Sequence, residues 1–165
     1  MMTNRQKQAE QTKKKIFAAA VHLMQNHGIE DTTIEQICKR AEVSVGSFYN
    51  YFKSKDDVIV VAFESADHYF QEIVVSEIEN QSAVEKLNTF FLHYAKYNDQ
   101  QGLAFVKNLY SNSEQKLFVA RDRFMHQMFR EIVAQGQASG ELEGKMTPEE
   151  VEEFFFIIAR GIVSD

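Results

Sequence analysis

In the stretch TTIEQICKRAEVSVGSFYNYFKSK, from Thr32 to Lys55, two helix starts and a helix stop fall within 24 residues. Thr32 or Thr33 can cap the first helix, and Gln36, three residues after Thr33, completes a capping box. Ile34, Ile37 and Ala41 follow as one apolar stripe at helical spacing. Glu42, Val43 and Ser44 make the turn, and Ser44 can cap the helix beyond it. The second helix has two unlike faces. Phe48 and Phe52 sit one turn apart and, with Val43, can anchor it to a core. Ser44, Ser47 and Tyr51 form another stripe, with Gly46 and Asn50 beside it. This is the pattern of a helix-turn-helix.

Small hydroxyls, an amide and tyrosine phenols can address base edges and phosphates without blocking approach to a DNA groove. Gly46 would let the helix backbone come close to DNA. Lys55 opens the next helix, where its charge and nearby N–H groups could meet phosphate. The stretch resembles the DNA-binding domain of TetR-type (TetR/AcrR) transcriptional regulators. The resemblance covers roughly residues 9–60 and runs through Gly28, Thr32, Thr33, Ile37, Ala41, Val43, Ser44, Gly46, Phe48, Tyr49, Tyr51, Phe52 and Lys55. Three positions depart from it. Glu42 stands where many members have Gly, Tyr51 where many have His, and Cys38 where Ala is common. A positive φ at Glu42 would cost on the order of 1 kcal/mol.

The net charge of −6 divides unevenly. Residues 1–55 carry nine Lys/Arg and five Asp/Glu, whereas residues 56–165 carry nine and nineteen. A basic head on an acidic body fits a DNA-binding head joined to a different kind of domain. One proline, and no alternating runs of Val, Ile and Thr, point to an all-α chain. There is no 18-residue apolar run to span a membrane, no apolar stretch that reads as a signal peptide, and a single cysteine. Together these lead us to expect a cytoplasmic protein with no membrane association.

Residues 1–8 read as a loose arm. Arg5 and Lys7, with Lys13, Lys14 and Lys15, either contact the DNA backbone or stay solvated. Helix one is expected from about Ala9 to His27, with Gly28 as a left-handed cap and a head core of Phe17, Val21, Ile34, Ile37, Phe48 and Phe52. A long helix from Lys55 to about Glu79 contains no Pro or Gly and reads as the connector to the body. Ser82 caps a helix from Ala83 to Tyr97, and residues 98–102 read as a loop. A short helix from Leu103 to Tyr110 and a longer one ending near Ser139 follow, closed by Gly140. The last helix starts at Pro148, with Thr147 as its cap. The expected domains are a head, 1–60, and a helical effector-binding and dimerisation body, 61–165.

The last helix is apolar nearly all round, through Val151, Phe154, Phe155, Phe156, Ile157, Ile158, Ile162 and Val163. A surface helix needs only one apolar stripe. Either it is buried within one subunit, or a second face, with Phe154, Phe155, Ile158 and Ile162, meets a partner copy. The resemblance favours the homodimer, because such regulators bind palindromic sites as two-fold pairs. It also implies that the chain stops short of at least one further helix. Phe91, Tyr94, Phe105, Phe124 and Met128 are either plain core or the wall of a pocket for an aromatic or lipophilic effector.

Catalytic patterns are missing from the sequence. None of His22, His27, His68, His93 and His126 has Glu three residues before it, and there is no His-Glu-x-x-His, P-loop or Gly-x-Ser-x-Gly. Asp67 beside His68 reads as a solvated or structural pair, and Cys38 as a small core residue. We therefore expect no enzyme, metal or cofactor. The reading is an all-α, ligand-responsive regulator, most simply a repressor, that binds a palindromic operator on double-stranded DNA as a homodimer. Half-sites would lie roughly 34–36 Å apart or at a larger helical multiple. Thr33, Tyr49 and Lys55 would hold phosphates, and Ser44, Val45, Ser47, Asn50 and Tyr51 would face the bases, with Gly46 letting the backbone approach. The alternatives are a protein-binding or nucleoid-packing module without effector, and a helical-bundle enzyme with a coincidental motif.

Overall fold

The computed structural model describes residues 3–102, 106 and 123–164, with side chains described only as far as 159 in the last helix. Every regular element among them is helical: α1 (Asn4–His27), α2 (Ile34–Ala41), α3 (Val45–Tyr49), α4 (Lys55–Tyr69), a π turn (Phe70–Val74), α5 (Val75–Ile78), α6 (Ala83–Gln101), α7 (Phe124–Ser139) and α8 (Pro148–Ser164). The all-α expectation is met. The chain forms two compact units, Met1–Ala62 and Phe63–Asp165.

The head is built on α1, which packs against α2, and α2, which packs against α3. Ile16, Ala20, Met24, Ile37, Phe48, Phe52, Val58 and Ile59 are buried there. Two of the expected core residues differ: Phe17 and Ile34 are only half-buried, and Ile16 and Met24 take the central places. From Thr3 onward, the arm expected at residues 1–8 is instead the start of a helix. Thr3 accepts from the Gln6 N–H at 3.2 Å while the Gln6 side chain accepts from the Thr3 N–H at 2.8 Å, so a capping box starts α1 at Asn4. Gly28 has φ 86° but ψ 162°, so it is not a left-handed cap. Its N–H still closes the helix on the Met24 carbonyl at 3.0 Å.

In the body, Phe70, Val74, Ile78, Phe90, Met125, Met128, Phe129, Ile132, Val133 and Phe156 form the core. Ser82 and Glu85 make a capping box at the start of α6, and Thr147 and Glu150 make another at the start of α8. Gly140, at φ 79° and ψ 8°, closes α7 as expected. Gly136 allows a close approach. A Cβ there would lie 2.6 Å from the Ala83 Cβ and 2.6 Å from a Leu142 methyl carbon.

Three boundaries depart from expectation. Helix α6 continues to Gln101, because the polar run after Tyr97 is an exposed last turn and Gly102 (φ 83°) is the first breaker. Helix α7, which the sequence leads us to expect from directly after the Ser111-Asn112-Ser113 break, begins only at Phe124, since Arg123 is extended at φ −68° and ψ 145°. The long connector contains a π turn that no Pro or Gly announces. Of the helix expected from Leu103 to Tyr110, only Val106 is among the described residues; it is helical and buried, and its N–H donates to the Gly102 carbonyl at 3.1 Å.

Candidate nucleic-acid interface

Helix α2 starts as its sequence indicates. Thr33 accepts from the Gln36 N–H at 3.2 Å, and the Gln36 side chain accepts from the Thr33 N–H at 2.8 Å. Thr32, fully buried, donates to the Gly28 carbonyl at 2.7 Å. The helix ends in a Schellman arrangement: the Val43 N–H reaches the Cys38 carbonyl at 3.0 Å and the Glu42 N–H the Lys39 carbonyl at 3.4 Å. This places Glu42 at φ 57° and ψ 44°. Among the described residues it is the sole non-glycine at positive φ. The strain expected at this turn is therefore present, at about 1–2 kcal/mol.

The turn aims α3. Ser44 caps it, accepting from the Ser47 N–H at 3.0 Å. Phe48 and Phe52 are buried with ring centroids 5.6 Å apart and hold the inner face. Ser44, Val45, Gly46, Tyr49 and Asn50 are exposed, and Ser47 and Tyr51 half-exposed. Tyr49 is 54% exposed and stands edge-on to Phe48 with centroids 5.6 Å apart. A Cβ on Gly46 would meet only the Ser44 hydroxyl, at 3.9 Å. Nothing inside the head requires glycine at this position, so its small size faces outward.

Lys55 is placed differently from expectation. Its ammonium donates to the Ile29 carbonyl at 2.8 Å and the Glu30 carbonyl at 3.1 Å. The first turn of α4 is also acidic, with Asp56 and Asp57. Asp57 accepts from the Lys53 N–H at 2.6 Å, and its own N–H donates to the Ser54 hydroxyl at 3.3 Å. The Asp57 N–H at the start of α4 is thus met within the head, and Lys55 braces the turn after α1. Two of the α1 lysines are likewise engaged: Lys13 lies 5.9 Å from the Phe52 ring centre and Lys14 pairs with Glu10 at 2.9 Å.

In the body, four of the five suggested pocket residues lie in or against the apolar core. Met128 belongs to the core, and Phe91, Tyr94 and Phe124 pack against it. Phe105 lies outside the described residues. Phe155 was expected at a partner interface but faces inward, 4.6 Å from the Phe91 ring and stacked on Phe129 at 5.2 Å. Phe154 (59% exposed), Ile157 and Ile158 form the exposed side of α8. Ile157 is not among the residues expected from sequence to meet a partner copy. The side chain of Ile162 is beyond those described.

Sequence reasoning missed three polar clusters. Arg123 grips Asp67 with two bonds, at 2.9 and 3.1 Å, and also donates to the Phe63 carbonyl. Asp67 is therefore structural, while the adjacent His68 is exposed. Buried Glu152 meets His126 at 2.5 Å and Arg130 at 2.5 Å. Burial holds the His126 imidazole below its ordinary range, despite its hydrogen bond to the Glu152 carboxylate. His93 bridges Tyr69 and Glu77. Among the described residues, no group of three or more His, Cys, Asp or Glu could hold a metal ion. None of their helices is long and apolar enough to cross a membrane.

A strained turn, a capped short helix with one buried aromatic face and one open polar face, and a basic surround define a helix-turn-helix head. Residues 16–62 match the family model of bacterial regulatory proteins of the tetR family. The chain is 40% identical over 68 residues to the HTH-type transcriptional regulator HbdR of Aromatoleum sp. (strain CIB), covering 41% of this chain and 30% of that one. It is 31% identical over 96 residues to the fatty acid metabolism regulator protein of Bacillus subtilis (strain 168), covering 57% and 50%. The matches thus span half or less of these relatives' own length. In fold, the chain is similar to the transcriptional regulator FadR from Bacillus subtilis in complex with stearoyl-CoA. The TM-score is 0.79 at 22% identity, over 92% of this chain and 84% of that one.

Proposed function

We propose that the chain is a DNA-binding transcriptional regulator, a repressor that binds a palindromic operator as a homodimer and is released by a small-molecule effector. The carrying observation is the open face of α3, where Gly46 has no internal reason to be glycine and Tyr49, Asn50 and Ser44 stand exposed. On this reading Thr33 and Tyr49 hold phosphates. Ser44, Val45, Ser47, Asn50 and Tyr51 face bases, with Gly46 admitting the backbone. Lys55 contributes by bracing the head. The apolar outer side of α8, through Phe154, Ile157 and Ile158, supports pairing with a second copy. The effector is a lipophilic or aromatic molecule taken up by the apolar body, which favours a head spacing that no longer fits the operator. Such a protein works in the cytoplasm, beside the DNA.

Two variants test the division of labour on α3, using sites selected from a pool of random duplexes. Tyr49→Phe removes one phosphate hydrogen bond and lowers affinity several-fold on every site alike, a loss of about 0.5–1.5 kcal/mol. Asn50→Ala removes a base contact worth about 1–3 kcal/mol and changes preference at particular base pairs. Equal losses for Asn50→Ala on all sites would contradict direct readout.

A further inference from the structure

Tyr69 ends α4, Glu77 lies in α5, and the π turn Phe70–Val74 lies between them. Both reach His93 on α6: the Tyr69 hydroxyl is 2.7 Å from Nδ1, and Glu77 Oε2 is 2.9 Å from Nε2. The carboxylate accepts, so Nε2 carries the proton and Nδ1 accepts from the phenol. His93 is buried, at 9% exposed, while the Glu77 side chain is 51% exposed.

The spacing explains the π turn. In an unbroken α-helix, residues eight apart are rotated about 80° from one another. Tyr69 and Glu77 would then diverge, and one imidazole could not hold both. A π turn takes up one extra residue. The pair behaves as if seven apart, within about 20° of one line. One anchor lies just before the turn, the Arg123–Asp67 pair, and the core residues Phe70 and Val74 lie within it.

We propose that Phe70–Val74 is a one-residue register element with two settings, and that His93 is the positioning residue that selects the π setting by holding Tyr69 and Glu77 on one line. Release of the pinch, through its solvent-facing jaw Glu77, returns the turn to α-helix and rotates the segment before it by about 100° relative to α5. A regulatory use of this rotation rests on the proposed function. The register element itself does not.

The test is hydrogen exchange at the amides of residues 70–78 in the full chain. His93→Ala should speed exchange within the π turn by about tenfold, and Tyr69→Phe by less, because it removes one of two hydrogen bonds. Deleting exposed Glu72 removes the extra residue, so Tyr69 and Glu77 align on a plain α-helix. That variant should fold, with these amides at least as protected as in the parent. His93→Ala in its background should then leave their exchange nearly unchanged. The proposal is overturned if His93→Ala has no effect in the parent, or acts equally in both backgrounds. It is also overturned if the deletion variant does not fold, since the π setting would then be obligatory. If the parent shows no preference for any DNA, the regulatory reading falls, while the exchange comparison still decides the register element.

Discussion

The ammonium of Lys55 lies 2.8 Å from the carbonyl oxygen of Ile29, across the head from its own helix start. That contact separates two roles a lysine here can have. If Lys55 braces the head, Lys55→Met lowers the head's thermal stability by about 1–2 kcal/mol and leaves the salt dependence of DNA binding as it was. If it holds a phosphate, stability is little changed and the slope of log affinity on log salt falls by about 1. Thermal melts and titrations at several salt concentrations distinguish the two, and the geometry predicts the first.

Gly136 tests the body in the same way. An added Cβ would meet the Ala83 Cβ at 2.6 Å, and Ala83 is tied down by its N–H donating to Glu141 at 2.8 Å. Gly136→Ala should therefore destabilise the chain by about 1–3 kcal/mol through overpacking, despite the better helix propensity of alanine. Urea unfolding measures this, and an unchanged or raised midpoint would contradict the packing described.

His126 makes stability depend on pH. Burial holds its pKa below the unfolded value near 6.5, so the unfolded chain takes up the proton first. Its contribution is complete above about pH 6.5 and is lost as pH falls from there towards the depressed folded value. His126→Asn should flatten the decline of melting temperature in that window. A parent chain equally stable at pH 7 and pH 5 would contradict the assignment.

What the sequence made legible was local. The capping box at Thr33, the N-cap at Ser82, the left-handed turn residue at Glu42 and the two faces of α3 are signals carried by residues a few positions apart, and all appear in the structure. The capping box at Thr3 was equally readable, but the surrounding lysines and glutamines suggested a solvated arm. The π turn left no trace, because one extra residue barely disturbs an apolar pattern this short. Asp67 and Arg123 are 56 residues apart, and nothing in either neighbourhood points to the other. Glu152 was invisible for a related reason: a glutamate in the second turn of a helix reads as solvated until its partners His126 and Arg130 are known. On α8, composition alone could not say that Phe155 turns inward and Phe154 outward, since neighbouring helices set that choice.

The central claim is that the open face of α3 reads a specific duplex. It is tested most directly by titrating the chain against DNA from upstream of its own gene and against scrambled DNA, each at two salt concentrations. The account predicts preference for one short palindrome at both salts, with two protomers per site. Equal affinity for both DNAs, falling steeply with salt, would mean that the head binds only the phosphate backbone and would contradict it.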